Sequence, residues 1–166
     1  MADHADKHEA HRRLVGRLEY QAADVRRLTL GLEEAGLATR TVVGKWSLKE
    51  LVAHLWRVQQ IFEARIDAVL SENNPAISRY EPEGDPEFAA LAERPAAQLL
   101  DGFLAARDRL ARRLEQLTPA EWHRPGRHPE FPNYDVHFQV EYMAHHEAHH
   151  VYQMYQRRQP LGRIPH

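Results

Sequence analysis

Four histidines and a glutamate fall within seven residues near the end of the chain, in the run Ala144-His145-His146-Glu147-Ala148-His149-His150. The surrounding composition is helical, and on an α-helix residues four apart stand one above the other. His146 and His150 can therefore turn two imidazoles to one point, as can His145 and His149. Two imidazoles from one helix and a third ligand from elsewhere make a divalent-metal centre with an open coordination position. The same run spells His-Glu-x-x-His from His146 to His150, the zinc-protease helix in which the glutamate is the general base. Those enzymes draw a further ligand from downstream, whereas only sixteen residues follow His150 here, with no histidine, aspartate or glutamate before His166. No strand pattern is available to hold an extended peptide, so the protease reading is the weaker one.

Helix phase separates the two histidine pairs. At about 100° per residue, with Met143 at zero, His150 falls at about −20° and His146 at about −60°, beside the apolar positions Val136, Val140, Met143, Val151 and Met154. His145 and His149 fall at about 200° and 240°, on the opposite side. Only the first pair borders the core. The second is solvated or lies at a subunit interface.

Positioning falls to four amphipathic segments. Residues 3–35 form the first helix, with Leu14, Leu18, Val25, Leu28 and Leu32 at helical spacing and Gly36 as its stop. His4, His8 and His11 continue that stripe; a surface metal is conceivable, but a solvated first turn is the simpler account. Ser47 followed by Glu50 is a capping box that starts a second helix, from Leu48 to about Glu72. Its stripe is Leu51, Leu55, Val58, Phe62, Ile66 and Val69, and His54 lies inside it. The stretch 73–93 carries Asn-Asn-Pro, Pro82, Gly84 and Asp-Pro, and is long enough to run the length of a bundle. A third helix covers 94–117, and Thr118-Pro119-Ala120-Glu121 ends it and opens a possible extra turn. Residues 123–133 are loop, with His123 and His128 at the solvent or the rim. The fourth helix covers 134–158. No segment alternates like a strand and no internal repeat is found, so the expected fold is all-α: a four-helix bundle with a long crossover between helices two and three, forming a single domain over 1–166.

That topology supplies the missing ligand. With helices two and three parallel, helix four runs antiparallel to helix two. His54, about seven residues from the start of helix two, then stands level with His150, about seven from the end of helix four. His4, His8 and His11 would lie at the far end, about 30 Å away at 1.5 Å per residue.

Composition bounds the rest. The chain has 166 residues, 43% of them apolar and 28% charged, which is globular composition. A formal charge of −2 gives no electrostatic case for a nucleic-acid partner. There is no cysteine, which excludes disulfides and thiolate metal sites and suits a cytoplasmic location. The polar N-terminal stretch lacks the apolar run of a signal peptide, and no stretch approaches the roughly 18 apolar residues of a membrane span.

Trp46-Ser47-x-Lys49-Glu50-x-x-x-His54-Leu55, followed by the distal histidine-rich helix with Gln153, resembles the DinB/YfiT-like superfamily. Leu117-Thr118-Pro119-x-Glu121-Trp122 and His128-Pro129-x-Phe131 resemble its members too, and the likeness runs from helix one to about Arg157. The chain departs from the pattern at Phe131-Pro132-Asn133, where a glycine is expected after the aromatic residue; this bears on the loop and not on the histidines. The resemblance implies a four-helix bundle, often a homodimer, holding one divalent metal ion on His54, His146 and His150. Zinc or nickel suits such ligands, as does iron(II). It also implies a metal-dependent enzyme that activates a thiol or water, of thiol-transferase or hydrolase type, acting on a small molecule or a low-molecular-weight thiol. Glu147 and Tyr142 are the candidate catalytic helpers beside the metal. Arg40, Lys45 and Arg158 could form a positive rim for an anionic thiol, although solvated charges at helix ends are the simpler reading. A helical stress or interaction protein with a purely structural metal is the non-enzymatic alternative.

Overall fold

In the computed structural model, which describes residues 2–166 with side chains from His8 onward, the chain is mostly helical. His4 lies outside the residues whose side chains are described. The elements are α1 (Ala2–Thr29), α2 (Glu34–Ala38), α3 (Leu48–Ser71), α4 (Pro86–Ala92), α5 (Ala96–Glu115), α6 (Pro119–Trp122) and α7 (Val136–Arg158). Two-residue strands β1 (Pro125–Gly126) and β2 (Tyr134–Asp135) pair antiparallel in front of α7.

Helices α1, α3, α5 and α7 form the bundle, and cross-helix neighbours give its direction. Trp56 packs on Gly102, Gln59 bonds Arg107 and Asp67 pairs with Arg113, so α3 and α5 run parallel. His54 meets His150 while Phe62 meets Tyr142, so α7 is antiparallel to α3. His11 adjoins His137 and Gln21 bonds the Ala144 carbonyl, so α1 runs with α7. The segment between α3 and α5 is thus a true crossover that carries the chain back along the bundle.

Local sequence sets the boundaries. Ser47 and Glu50 form the expected reciprocal cap at the start of α3, and Thr118 and Glu121 form a second one at α6. Asp135 caps α7 by accepting from the Phe138 amide, so that helix begins two residues later than the periodicity suggests, and Tyr134 goes into the strand pair instead. The first helix is shorter than its apolar stripe. It ends at Thr29, whose hydroxyl donates back to the carbonyls of Val25 and Arg26, and Gly31 then turns the chain at φ +77°. Leu32 and Leu37 continue the apolar pattern because both still pack on the same core, one from the turn and one from α2. Gly36 lies inside α2 and ends nothing.

The core has two apolar halves. One contains Leu14, Leu18, Val58, Phe62, Leu110 and Met143, the other Val25, Leu51, Leu55, Phe103 and Met154. Between them lies a buried polar layer centred on Arg107. Its guanidinium donates to Gln59 on α3, to the Leu18 carbonyl on α1 and to both oxygens of Glu147 on α7, so one side chain ties α5 to all three other bundle helices. Burying a guanidinium and a carboxylate is costly unless their bonds are filled, and here the pairing is bidentate with further acceptors at hand. The layer matters because the inward histidines flank it.

Candidate metal centre

His54, in the second turn of α3, and His146 and His150, one turn apart on α7, converge. Their Nε2 atoms form a chain, with His54 to His150 at 3.1 Å and His150 to His146 at 3.1 Å. The three donor atoms lie within 4.8 Å of one another, a group able to hold a metal ion. Imidazole nitrogens about 2.0–2.1 Å from a zinc ion stand about 3.3 Å apart at tetrahedral angles and about 2.9 Å apart at right angles. Both 3.1 Å spacings, from His150 to His54 and to His146, fall between those values.

Hydrogen bonding alone does not account for the cluster. His150 Nδ1 lies 2.9 Å from Gln153 Oε1, which can only accept, so the His150 proton sits on Nδ1 and Nε2 carries a lone pair. Two neighbouring Nε2 atoms then compete for that lone pair, which can accept one good bond. A cation at the centre would satisfy all three nitrogens at once. The histidines are also suited to supply lone pairs. Burial, then the His150 and His146 imidazoles, pushes His54 down to about 3. Burial, then His150 and His149, pushes His146 down to about 4. Burial lowers His150 too, partly opposed by Gln153. All three are therefore neutral at pH 7, as metal ligation requires. The donor set fits a divalent ion that favours nitrogen.

Aromatic rings wall the cluster. Trp46 covers His54 at 4.8 Å between centroids and packs on Phe88, while Tyr142 lies parallel to His146 at 6.4 Å and edge-on to Phe62. A cavity of about 210 Å³ opens from His54 and His146 and continues past Phe62, Tyr142 and Phe138 to Arg65, Tyr134 and His128. Tyr142 is 40% exposed and lines that cavity.

The other residues singled out by sequence divide. His145 and His149 face outward, the first near Arg17 and the second bonded to Gln153. Glu147 corrects the expectation of a carboxylate beside the metal: its helix position turns it into the bundle, and both oxygens are taken by Arg107. Arg40 is held by Glu50, and Arg158 is buried against the carbonyls of Gly162 and Arg163, so neither offers the free charge a positive rim needs. His11 is not a solvated first-turn residue either. It is 5% exposed, stacked on Trp122 at 4.4 Å, with His123 and His137 beside it. His123 is exposed and bonds Asp135, and His128 lines the cavity.

Sequence reasoning passed over Arg65, Arg107 and His137, and gave Gln153 no role beyond its place in a motif. A signal existed for Arg107 and Glu147. Each fills a position where an apolar stripe predicts a hydrophobe, four residues after Phe103 and Met143 respectively, and two such gaps of opposite charge suggest a buried pair.

The sequence profile of the DinB superfamily matches residues 17–154. Among solved structures, YfiT from Bacillus subtilis, described as a probable metal-dependent hydrolase with an unusual four-helix bundle topology, aligns with a TM-score of 0.78 and 19% identity. The alignment covers 92% of this chain and 87% of that one. No curated protein matches the sequence. Among the described residues, no helix is long and apolar enough to cross a membrane.

Proposed function

The chain belongs to the DinB superfamily, and from that premise we propose that it is a metal-dependent hydrolase of small molecules. In this reading His54, His146 and His150 hold one divalent ion beside the cavity. The observation that carries the reading is the convergence of three neutral imidazoles at the edge of a cavity that offers no fourth protein ligand among the residues lining it nearby. A site completed by protein would be structural, whereas one left open toward a cavity can take water and substrate together. The description of YfiT as a probable metal-dependent hydrolase supports the same class.

The ion would supply Lewis acidity, which polarises a carbonyl and acidifies water. The remaining roles belong to the chain. Gln153 holds the proton of His150 on Nδ1 and so keeps Nε2 turned inward as a lone pair. Trp46 and Phe88 exclude bulk water from the His54 side. Tyr142, parallel to His146 on the cavity wall, is the catalytic candidate, since its hydroxyl can donate to a developing oxyanion on a substrate bound there. Glu147 is a positioning residue: by anchoring α7 to Arg107 between His146 and His150, it fixes the register of the two ligands.

A low-molecular-weight thiol is the other nucleophile such a centre could activate, and it remains the second reading on the strength of the family resemblance. A purely structural ion linking α3 to α7 is the third. The experiment is to assay zinc- and nickel-loaded protein against activated esters and amides, with and without low-molecular-weight thiols. Turnover that disappears with chelator, returns with metal and is lost in His54→Ala supports the proposal. Stoichiometric metal with no turnover of esters or amides overturns it, and turnover only when thiol is present moves the chain to the transferase class.

A further inference from the structure

The far end of the cavity holds a charge that the hydrolytic reading does not use. Arg65 lies three turns beyond His54 on α3, half-buried, with its guanidinium over the Phe62 ring at 5.4 Å. One nitrogen donates to the Ser78 carbonyl at 2.7 Å and another reaches Gln139 Oε1 at 3.5 Å, a long contact. Among the described residues no carboxylate pairs with it. Arg79, which lines the same cavity, is paired with Glu130. His128 does not compensate Arg65 either: burial, then Arg65 and less strongly Arg79, outweigh Glu130, which also lines the cavity, and hold its imidazole toward the neutral form. A half-buried arginine without an anion pays for desolvation with no ionic partner, so the site is electrostatically incomplete.

A second observation points the same way. Gln139 is 2% exposed and lines this cavity. Its Oε1 accepts from Arg65 and from the Tyr134 hydroxyl, both of which donate there, and this fixes the amide orientation. Its Nε2 is left as a buried donor with no partner. The wall thus carries a guanidinium and an amide with donor capacity in excess of the acceptors around them.

We propose that this end of the cavity is a subsite for the carboxylate of the substrate, with Arg65 as its anchor and Gln139 as the residue that positions the guanidinium. The inference rests on the hydrolase reading for what happens at the other end, and it narrows the substrate. Gln139 and His146 are seven residues apart on α7, about 10 Å along the axis at 1.5 Å per residue. Between them the walls are Phe62, Phe138 and Tyr142. The matching ligand is a monoanion with a flat or aromatic body, its carboxylate about 10 Å from the ester or amide that reacts. A planar guanidinium suits a carboxylate because it can bind both oxygens in parallel, which an ammonium cannot.

The test is equilibrium binding of 4-phenylbutyrate and of the matching methyl ketone, 5-phenylpentan-2-one, which is neutral and has no bond to hydrolyse, to zinc-loaded protein, followed by fluorescence or calorimetry. Wild type should bind the acid at least tenfold more tightly than the ketone. Arg65→Gln should remove that preference while leaving zinc content and ketone affinity unchanged, and Arg65→Lys should retain only part of it. If wild type does not distinguish acid from ketone, the subsite is overturned without needing any variant. If the preference survives in Arg65→Gln, the carboxylate is bound elsewhere, at the zinc itself, and the subsite is again overturned. Loss of the preference in Arg65→Gln without any hydrolysis by wild type would uphold the subsite and defeat only the hydrolase reading.

Discussion

His150 turns its Nδ1 to the Gln153 side-chain oxygen at 2.9 Å, and this contact decides what the opposite ring nitrogen can do. With the proton held on Nδ1, Nε2 is an inward lone pair between His54 and His146. Gln153 also reaches His149 through its Nε2, so the outward histidine steadies the amide that orients the inward one. Partners of metal-bound histidines typically change affinity 10- to 100-fold when removed. Gln153→Ala should weaken zinc affinity by about that factor, measured by competition with a chromophoric chelator, with the fold kept by circular dichroism. Unchanged affinity in that variant would remove Gln153 from the site.

Metal should also stabilise the protein, because the three ligands join α3 to α7. An ion that binds only the folded state at 100 times its dissociation constant adds about 2.7 kcal/mol. For a chain of this length that corresponds to a rise in Tm of about 5–10 °C. Adding zinc or nickel to chelator-treated wild type should give such a rise, and His54→Ala or His146→Ala should abolish it. A Tm indifferent to zinc, nickel and iron(II) would contradict metal binding by this cluster.

How far the sequence reached depends on the range of the signal. The capping box at Ser47, the stripe through Phe62 and the pairing of His146 with His150 are local, and helix geometry alone makes them legible. The height match of His54 needed the topology, which the breaker-rich crossover suggested. The end of α1 was misread because Leu32 keeps helical spacing with Val25 and Leu28 although the backbone has already turned at Gly31. Glu147 was misread for a different reason. Its phase shows that it faces inward, but only the position of Arg107 on a neighbouring helix shows what it faces. Arg65 was invisible for the same reason, since one arginine on an amphipathic helix looks solvated until its neighbours are known.

The Arg107–Glu147 pair should behave as a structural unit. Removing one partner strands a buried charge, at about 3–5 kcal/mol. Arg107→Met and Glu147→Leu should each lower stability by about that much in urea denaturation, and the double variant should recover a large part of the loss. The same double variant bears on function. If Glu147 were a base at the metal, restoring stability would not restore activity, whereas a positioning role allows both to return together. Additive stability losses in the double variant would show that the pair is not coupled.

His11 should make the fold sensitive to acid at the end remote from the metal cluster. Its ring is stacked on Trp122, its Nδ1 is a buried atom without a partner, and His123 and His137 face it from α6's C-terminal boundary and from α7. His8 also contributes charge from its own helix, and Asp135 opposes the effect. Burial, followed by the His137, His123 and His8 imidazoles, pushes His11 down to about 4 from an ordinary 6.5. Between those values the unfolded chain binds more protons than the folded one, so stability falls as pH drops from about 6.5 toward 4. From pH 7 to pH 5 the loss attributable to this residue is about 2 kcal/mol. His11→Phe keeps a flat ring against Trp122 and has no proton to take up. The gap in unfolding free energy between pH 7 and pH 5 should therefore be smaller in the variant by about that amount. Comparing the two proteins cancels the acid sensitivity of His54 and His146, which they share. Equal gaps would mean that His11 is either protonated in the folded state or able to leave its pocket without unfolding the bundle.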